Sequence, residues 1–200
     1  MDMDVGDYRY DTQLLIEGEG LDEDALDPAR FTCELHPRLL SGEFARRIGD
    51  DAVEPDDVYV LYPAYDTHIL YEEKGNPEAK KEGSFEQAVL NRENLALDPG
   101  KPYSTNAYYI YGHYLAQTRT YNEEAPECTV LVFKDSFGSP LSAFLGLAAS
   151  NVYSVDLRST KVPMEQWVEL VQPDVVVFAY SEQTFRNVEV EIGEQELKSE

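Results

Sequence analysis

Hydrophobic and polar positions are arranged differently in the two halves of this chain. From Met1 to about Tyr121, short apolar runs are separated by Gly, Pro and acidic clusters. Asp57–Tyr62 (DVYVLY) and His68–Tyr71 (HILY) are such runs, parted by Pro63-Ala64, and each predicts a short strand. The second half is punctuated at longer intervals. Thr129–Phe133 (TVLVF) is a continuous β-branched and aromatic run, the pattern of a strand buried on both faces. A helix-compatible segment follows over Pro140–Ser150, then a short strand over Asn151–Val155. Pro163 sits where a first-turn proline would, and Trp167, Val168 and Val171 in MEQWVELV have helical spacing. Asp174–Tyr180 (DVVVFAY) predicts a third buried strand. The order β-α-β-α-β implies a parallel sheet and an α/β fold. The tail after Phe185 is charged, and its Val188-Val190-Ile192 alternation suits one exposed edge strand.

Composition narrows the function classes. With 39 Asp plus Glu against 16 Lys plus Arg, the formal charge of −23 repels phosphate backbones and anionic lipid surfaces, so nucleic acid is excluded as a partner. Apolar residues at 42 % of the 200 positions suffice for a core without staples. The N-terminal MDMDVGDYRY carries no leader pattern, and the apolar stretch Leu141–Ala149 is too short to span a bilayer. Cys33 and Cys128 lack metal-ligand spacing and read as two buried thiols rather than a bridge. The runs Gly20–Asp24 and Gly49–Asp51 lack the alternating ladder of a calcium loop and read as solvated loops. The organisation expected is an acidic extension over 1–56 and an α/β domain over 57–200, incomplete on its N-terminal side.

In an open parallel sheet, ligands bind beyond the carboxyl ends of the strands. Three loops meet that condition: Lys134–Gly138, Asp156–Arg158 and Ser181-Glu182. Ser136 stands where a strand turns into a helix, so its hydroxyl would project from the rim. The N–H groups of Phe137 and Gly138 would then be available to an oxyanion. The same residues also read as a simple helix cap by Ser136 or Asp135. Nucleotide-binding glycine loops are absent.

The stretch Val130–Tyr180, with Lys-Asp-Ser-Phe after one strand, Asp-Leu-Arg after the next and a Pro-Asp strand closing the unit, resembles the C-terminal half of the DHHW family. That family is similar to the AlgX/AlgJ-type alginate O-acetylation proteins of the SGNH-hydrolase superfamily. Tyr108–Asn122 (YYIYGHYLAQTRTYN) resembles the aromatic segment preceding the serine strand there, and the resemblance extends over Asp57–Phe185. It implies a flavodoxin-like parallel sheet and a serine esterase or O-acetyltransferase, needing no cofactor or metal. The implied substrates are acetylated cell-envelope saccharides or small acyl compounds. Relatives are usually extracytoplasmic.

The resemblance further implies Ser136 as nucleophile, with an upstream Asp-x-His pair. Asp66-Thr67-His68 is the Asp-x-His of this sequence, but no Trp follows it and it lies in a strand-like run. The family's own motif would fall before Met1, so an N-terminal partner segment, or a catalytically incomplete binding module, is the alternative. His113 and Asn122 are carried over as groups lining the substrate site, although a packed, hydrogen-bonded His113 fits its surroundings too. His36 reads as a surface residue. Lys134 suggests a Ser-Lys pair but is expected to be solvated. Arg158 either holds a substrate oxygen at the rim or pairs with Asp135 or Asp156.

Overall fold

The computed structural model describes residues 20–22, 24–49, 53–112, 117–181 and 184. Among them the chain passes through β1 (Phe31–Leu40), α1 (Glu43–Ile48), β2 (Asp56–Pro63), β3 (Ile69–Glu73), β4 (Asn76–Gly83) and α2 (Phe85–Ala88). It continues through β5 (Gln117–Tyr121), β6 (Thr129–Lys134), α3 (Ser139–Ala148), β7 (Asn151–Val155), α4 (Met164–Val171) and β8 (Val175–Ala179). β1 and β2 form an antiparallel ribbon, and the other strands build a six-stranded sheet in the order β4-β3-β5-β7-β6-β8.

The expected β-α-β-α-β unit is present as β6-α3-β7-α4-β8. β6 lies between β7 and β8 and is parallel to both. Its side chains alternate between two cores. Val130 and Val132 join the cluster that holds Leu145, Leu147 and Ala148 of α3, while Leu131 and Phe133 pack with Trp167 of α4. The uninterrupted apolar run follows from burial on both faces. Pro140 opens α3, where its missing N–H costs nothing, and Gly146 lets the helix close on β5. A Cβ at Gly146 would lie 2.6 Å from Thr120 Cγ2.

Beyond β7 the sheet is antiparallel at each junction, through β5 and β3 to β4, so the whole is mixed rather than parallel. The segment ahead of residue 57 also contributes more than an extension. β1 pairs with β2 along its length, and Leu21, Ala25 and Leu39 share a core with Val60, Ile69 and Val130. The Val188–Ile192 alternation and Glu182 fall outside the described residues. Among the described residues no helix is long and apolar enough to cross a membrane.

Candidate functional site

The crossover from β6 goes to β7 on one side, and the chain returns to β8 on the other. The carboxyl end of β6 is therefore the topological switch point of the sheet, where a crevice opens between diverging connections. Ser136 stands there, on the 3-10 turn Ser136–Gly138 that leads into α3. Asp135 fixes this turn. It is 1 % exposed, and its carboxylate accepts the Phe137 N–H at 2.9 Å and the Ser181 N–H at 2.8 Å. Burial works to raise its pKa, but hydrogen bonds from Ser181, Thr184 and Phe137 prevail and hold it below the usual carboxylate range. The loop after β8 is thereby tied to the serine turn.

Gly138 lets the turn press onto the sheet. A Cβ there would lie 2.7 Å from Lys134 Cβ and 2.9 Å from both Ala179 Cβ and Ala179 O. The expected oxyanion donors are corrected by this geometry. The Phe137 N–H is taken by the Asp135 carboxylate and the Gly138 N–H by the Asp135 carbonyl at 3.2 Å. Among the described residues, neither the Ser136 N–H nor its hydroxyl has a partner, so serine itself supplies the free donor of this turn. The Phe137 ring is 61 % exposed beside it.

Lys134 is not solvated as expected. It continues the Val130–Val132 alternation toward α3 and is 5 % exposed. Burial lowers its pKa, opposed by the nearby carboxylates of Asp156 and Asp135. With Ser139, Ser142, Thr118, Ser154 and Gly112 it lines a cavity of about 20 Å³, room for a single water. Thr118 and Ser154 share a hydrogen bond of 2.6 Å, and the Tyr71 hydroxyl donates to buried Glu73 at 3.2 Å. Burial raises the Glu73 pKa against the hydrogen bonds from Tyr71 and Asn76. Sequence alternation along β6 already carried the signal for Lys134.

The second rim loop resolves the alternatives for Arg158. Its guanidinium makes a two-point pair with Asp156, Nε to Oδ1 at 2.9 Å and a terminal nitrogen to Oδ2 at 2.7 Å. Asp156 also accepts the Arg158 N–H at 3.0 Å. The arginine is thus built into its own turn rather than held ready for a substrate oxygen.

Asp66 and His68 do not approach Ser136. The ladders align Leu70 with Tyr121, Tyr121 with Asn151 and Asn151 with Thr129, the first residue of β6. His68 therefore lies at the amino edge of the sheet and Ser136 beyond its carboxyl edge. Seven residues from Thr129 to Ser136 span roughly 20 Å, and three strand spacings add about 14 Å across the sheet. His68 is exposed and pairs instead with Glu82 at 3.3 Å. Their spacing in the sequence mimics a dyad, but the register separates it from the serine.

Asn122 is also at the amino edge and is structural. Its side chain donates to the Gly146 and Leu147 carbonyls at 3.1 and 3.4 Å, capping α3, and accepts the Glu124 N–H. His36 lies on β1, 2.9 Å from Glu34. His113 lies outside the described residues. Both cysteines are free; Cys128 is buried as expected, but Cys33 is exposed on β1. Among the described residues no group of three or more His, Cys, Asp or Glu is placed to hold a metal ion.

No protein-family model matches the chain, and no curated protein matches it. Solved structures do. Bacillus cereus PatB1 carrying a sulfonyl adduct superposes with a TM-score of 0.61 and 16 % identity, over 88 % of this chain and 55 % of that one. Another structure of Bacillus cereus PatB1 gives 0.59 and 16 %, over 88 % and 57 %. A DHHW family protein from Eubacterium siraeum gives 0.54 and 16 %, over 77 % and 48 %. The chain spans about half the length of these structures. Its fold is similar to that of PatB1 and of a DHHW family protein, in keeping with the α/β class that the sequence resemblance implied.

Proposed function

We propose that this chain carries the serine side of an SGNH-type acyl-transfer site, with Ser136 as the nucleophile of an esterase or O-acetyltransferase acting on acetylated cell-envelope saccharides. The observation that carries this reading is the placement of Ser136 at the switch point, on a braced turn, with hydroxyl and N–H both unengaged among the described residues. Similarity to PatB1, an acetyltransferase of the SGNH-like type, supports the general kind of chemistry. A sulfonyl adduct, the state in which PatB1 was captured, is what a sulfonylating reagent leaves on an activated nucleophile. In the reaction, Ser136 Oγ would attack the acyl carbon and pass its proton to a base. The Ser136 N–H would face the oxyanion, the alcohol would leave with a proton, and water or a sugar hydroxyl would then take the acyl group.

Serine needs a positioned base at neutral pH, and Asp66–His68 is on the wrong edge to be one. Among the described residues no histidine stands on the serine rim. That observation favours a second reading, a catalytically incomplete binding or interaction module. Incubation with phenylmethylsulfonyl fluoride, followed by intact mass and peptide mapping, separates the two. Acyl chemistry requires one adduct on Ser136, lost in Ser136→Ala and retained in His68→Ala. A folded protein that takes no adduct on Ser136 leaves the module reading.

A further inference from the structure

A second concave feature lies on the face of the sheet opposite α3. Alternation along β3, β5 and β7 turns Glu72, Arg119 and Tyr153 to this side, and α4 supplies Trp167 and Leu170. The groove encloses about 450 Å³, within the size range of small-molecule sites. None of its lining residues belongs to the Ser136 turn.

The charge of this groove runs against the rest of the molecule. In a chain with 16 basic and 39 acidic residues, Lys74, Lys80 and Arg119 converge on it. Glu72 answers Lys80 at 3.0 Å and lies 3.8 Å from Arg119. Arg119 is further held by Asn151 at 2.7 Å. Glu73 directs its carboxylate to Tyr71 on the other face. Lys74 has no carboxylate partner among the described residues; its ammonium sits 4.8 Å from the centre of the Trp167 ring. Trp167 is 4 % exposed, and its indole N–H meets no acceptor among the described residues. Buried donors without acceptors are rare and usually accounted for by an absent partner. Among the described residues, an ammonium without a carboxylate partner and an indole N–H without an acceptor thus belong to neighbouring residues of this groove, beside the apolar surface of Tyr153 and Leu170.

We propose that the groove between α4 and the β3-β5-β7 face binds a small organic carboxylate with a flat apolar body. The carboxylate meets Lys74, and the body packs on Trp167, Tyr153 and Leu170. This site is independent of the acyl chemistry at Ser136 and survives its failure.

Trp167 is the one tryptophan of the chain, so emission excited at the red edge reports on this groove without the 14 tyrosines. Phenylacetate titrated to about 10 mM, a concentration suited to a fragment of this size, gives a saturable change. Phenylacetamide, the neutral counterpart, binds at least about tenfold more weakly. Lys74→Gln erases that preference, whereas the remote Lys161→Gln preserves it. Absence of a saturable change with phenylacetate overturns the proposal, as does equal binding of acid and amide. Saturation by glucuronate but not phenylacetate overturns it as well, because the body would then be polar.

Discussion

Asp135→Asn tests whether the serine turn is braced electrostatically or only by packing. The wild-type carboxylate is 1 % exposed and accepts backbone N–H groups from two loops, Phe137 at 2.9 Å and Ser181 at 2.8 Å. Asparagine keeps one acceptor oxygen and presents an NH₂ group to the other donor. Hydrogen bonds to a charged partner contribute roughly 1.5–3 kcal/mol each, so losing one and weakening the other costs about 2–3 kcal/mol at pH 7. The pH dependence has a defined sign. Although burial alone would raise the Asp135 pKa, its hydrogen bonds depress the folded-state value below that of the unfolded chain. Its ionisation therefore stabilises the fold above an unfolded pKa of about 3.9, and that contribution disappears as pH falls through the lower folded value.

Urea unfolding of wild type and variant across this range gives the readout. The stability gap is widest near neutrality and narrows in acid, where protonated aspartate and asparagine are both uncharged. Taking the difference between the two proteins removes the contribution of the other 38 acidic residues, which titrate in both (39 − 1). A gap below about 0.5 kcal/mol at pH 7 would refute the bracing role, since that is within the range of an unremarkable surface substitution. A gap independent of pH would refute its electrostatic origin.

Three further outcomes follow from the same geometry. Gly138→Ala places a Cβ 2.7 Å from Lys134 Cβ and 2.9 Å from the Ala179 carbonyl, and lowers stability by about 1–3 kcal/mol in urea unfolding. Gly42→Ser, with nothing within 4 Å of its Cβ, does not. Burial raises the folded-state pKa of Glu73, so its ionisation opposes folding. Wild-type stability should accordingly fall relative to Glu73→Gln as pH rises from about 4.3 through the raised value. With Cys33 exposed and Cys128 buried, Ellman's reagent titrates one thiol rapidly in the native protein and both in denaturant; two fast thiols in the native state would contradict this packing.

The parts of the fold that were legible share a physical cause. β6, β7 and β8 are carried by apolar runs because α3 and α4 cover both faces around β6, and Pro140 and Pro163 mark the two helix starts. β4 (NPEAKKEG) and β5 (QTRTY) are polar enough to read as loops. They are strands because β3 and β7 offer edges to pair with, which depends on neighbours absent from any local pattern. In the site, Asp135, Ser136 and the rim loops were readable from the strand-turn-helix order. The buried state of Lys134 was available from its alternation with Val130 and Val132. The error over Asp66–His68 had a different source: register decides which edge of a sheet a residue occupies, and spacing along the chain does not encode it.

That same register directs the search for a base. β3 starts at the amino edge, so His68 is held away from Ser136 by the ladders to β4 and β5. β5 runs the other way and starts at Gln117, opposite Val155 at the carboxyl end of β7 and two strand spacings from β6. Those two spacings amount to about 10 Å. Upstream, Gly112 lines the small cavity that holds Lys134 and Ser139 beneath the serine turn. Register thus removes His68 from the serine edge, and among the described residues no other histidine stands on it. His68→Ala therefore leaves the rate of Ser136 sulfonylation unchanged, whereas loss of a general base slows such a step by about 10²-fold or more. A slowing of that size in His68→Ala would refute the separation that the ladders impose, because a histidine held at the amino edge of β3 cannot take a proton from a serine beyond the carboxyl end of β6.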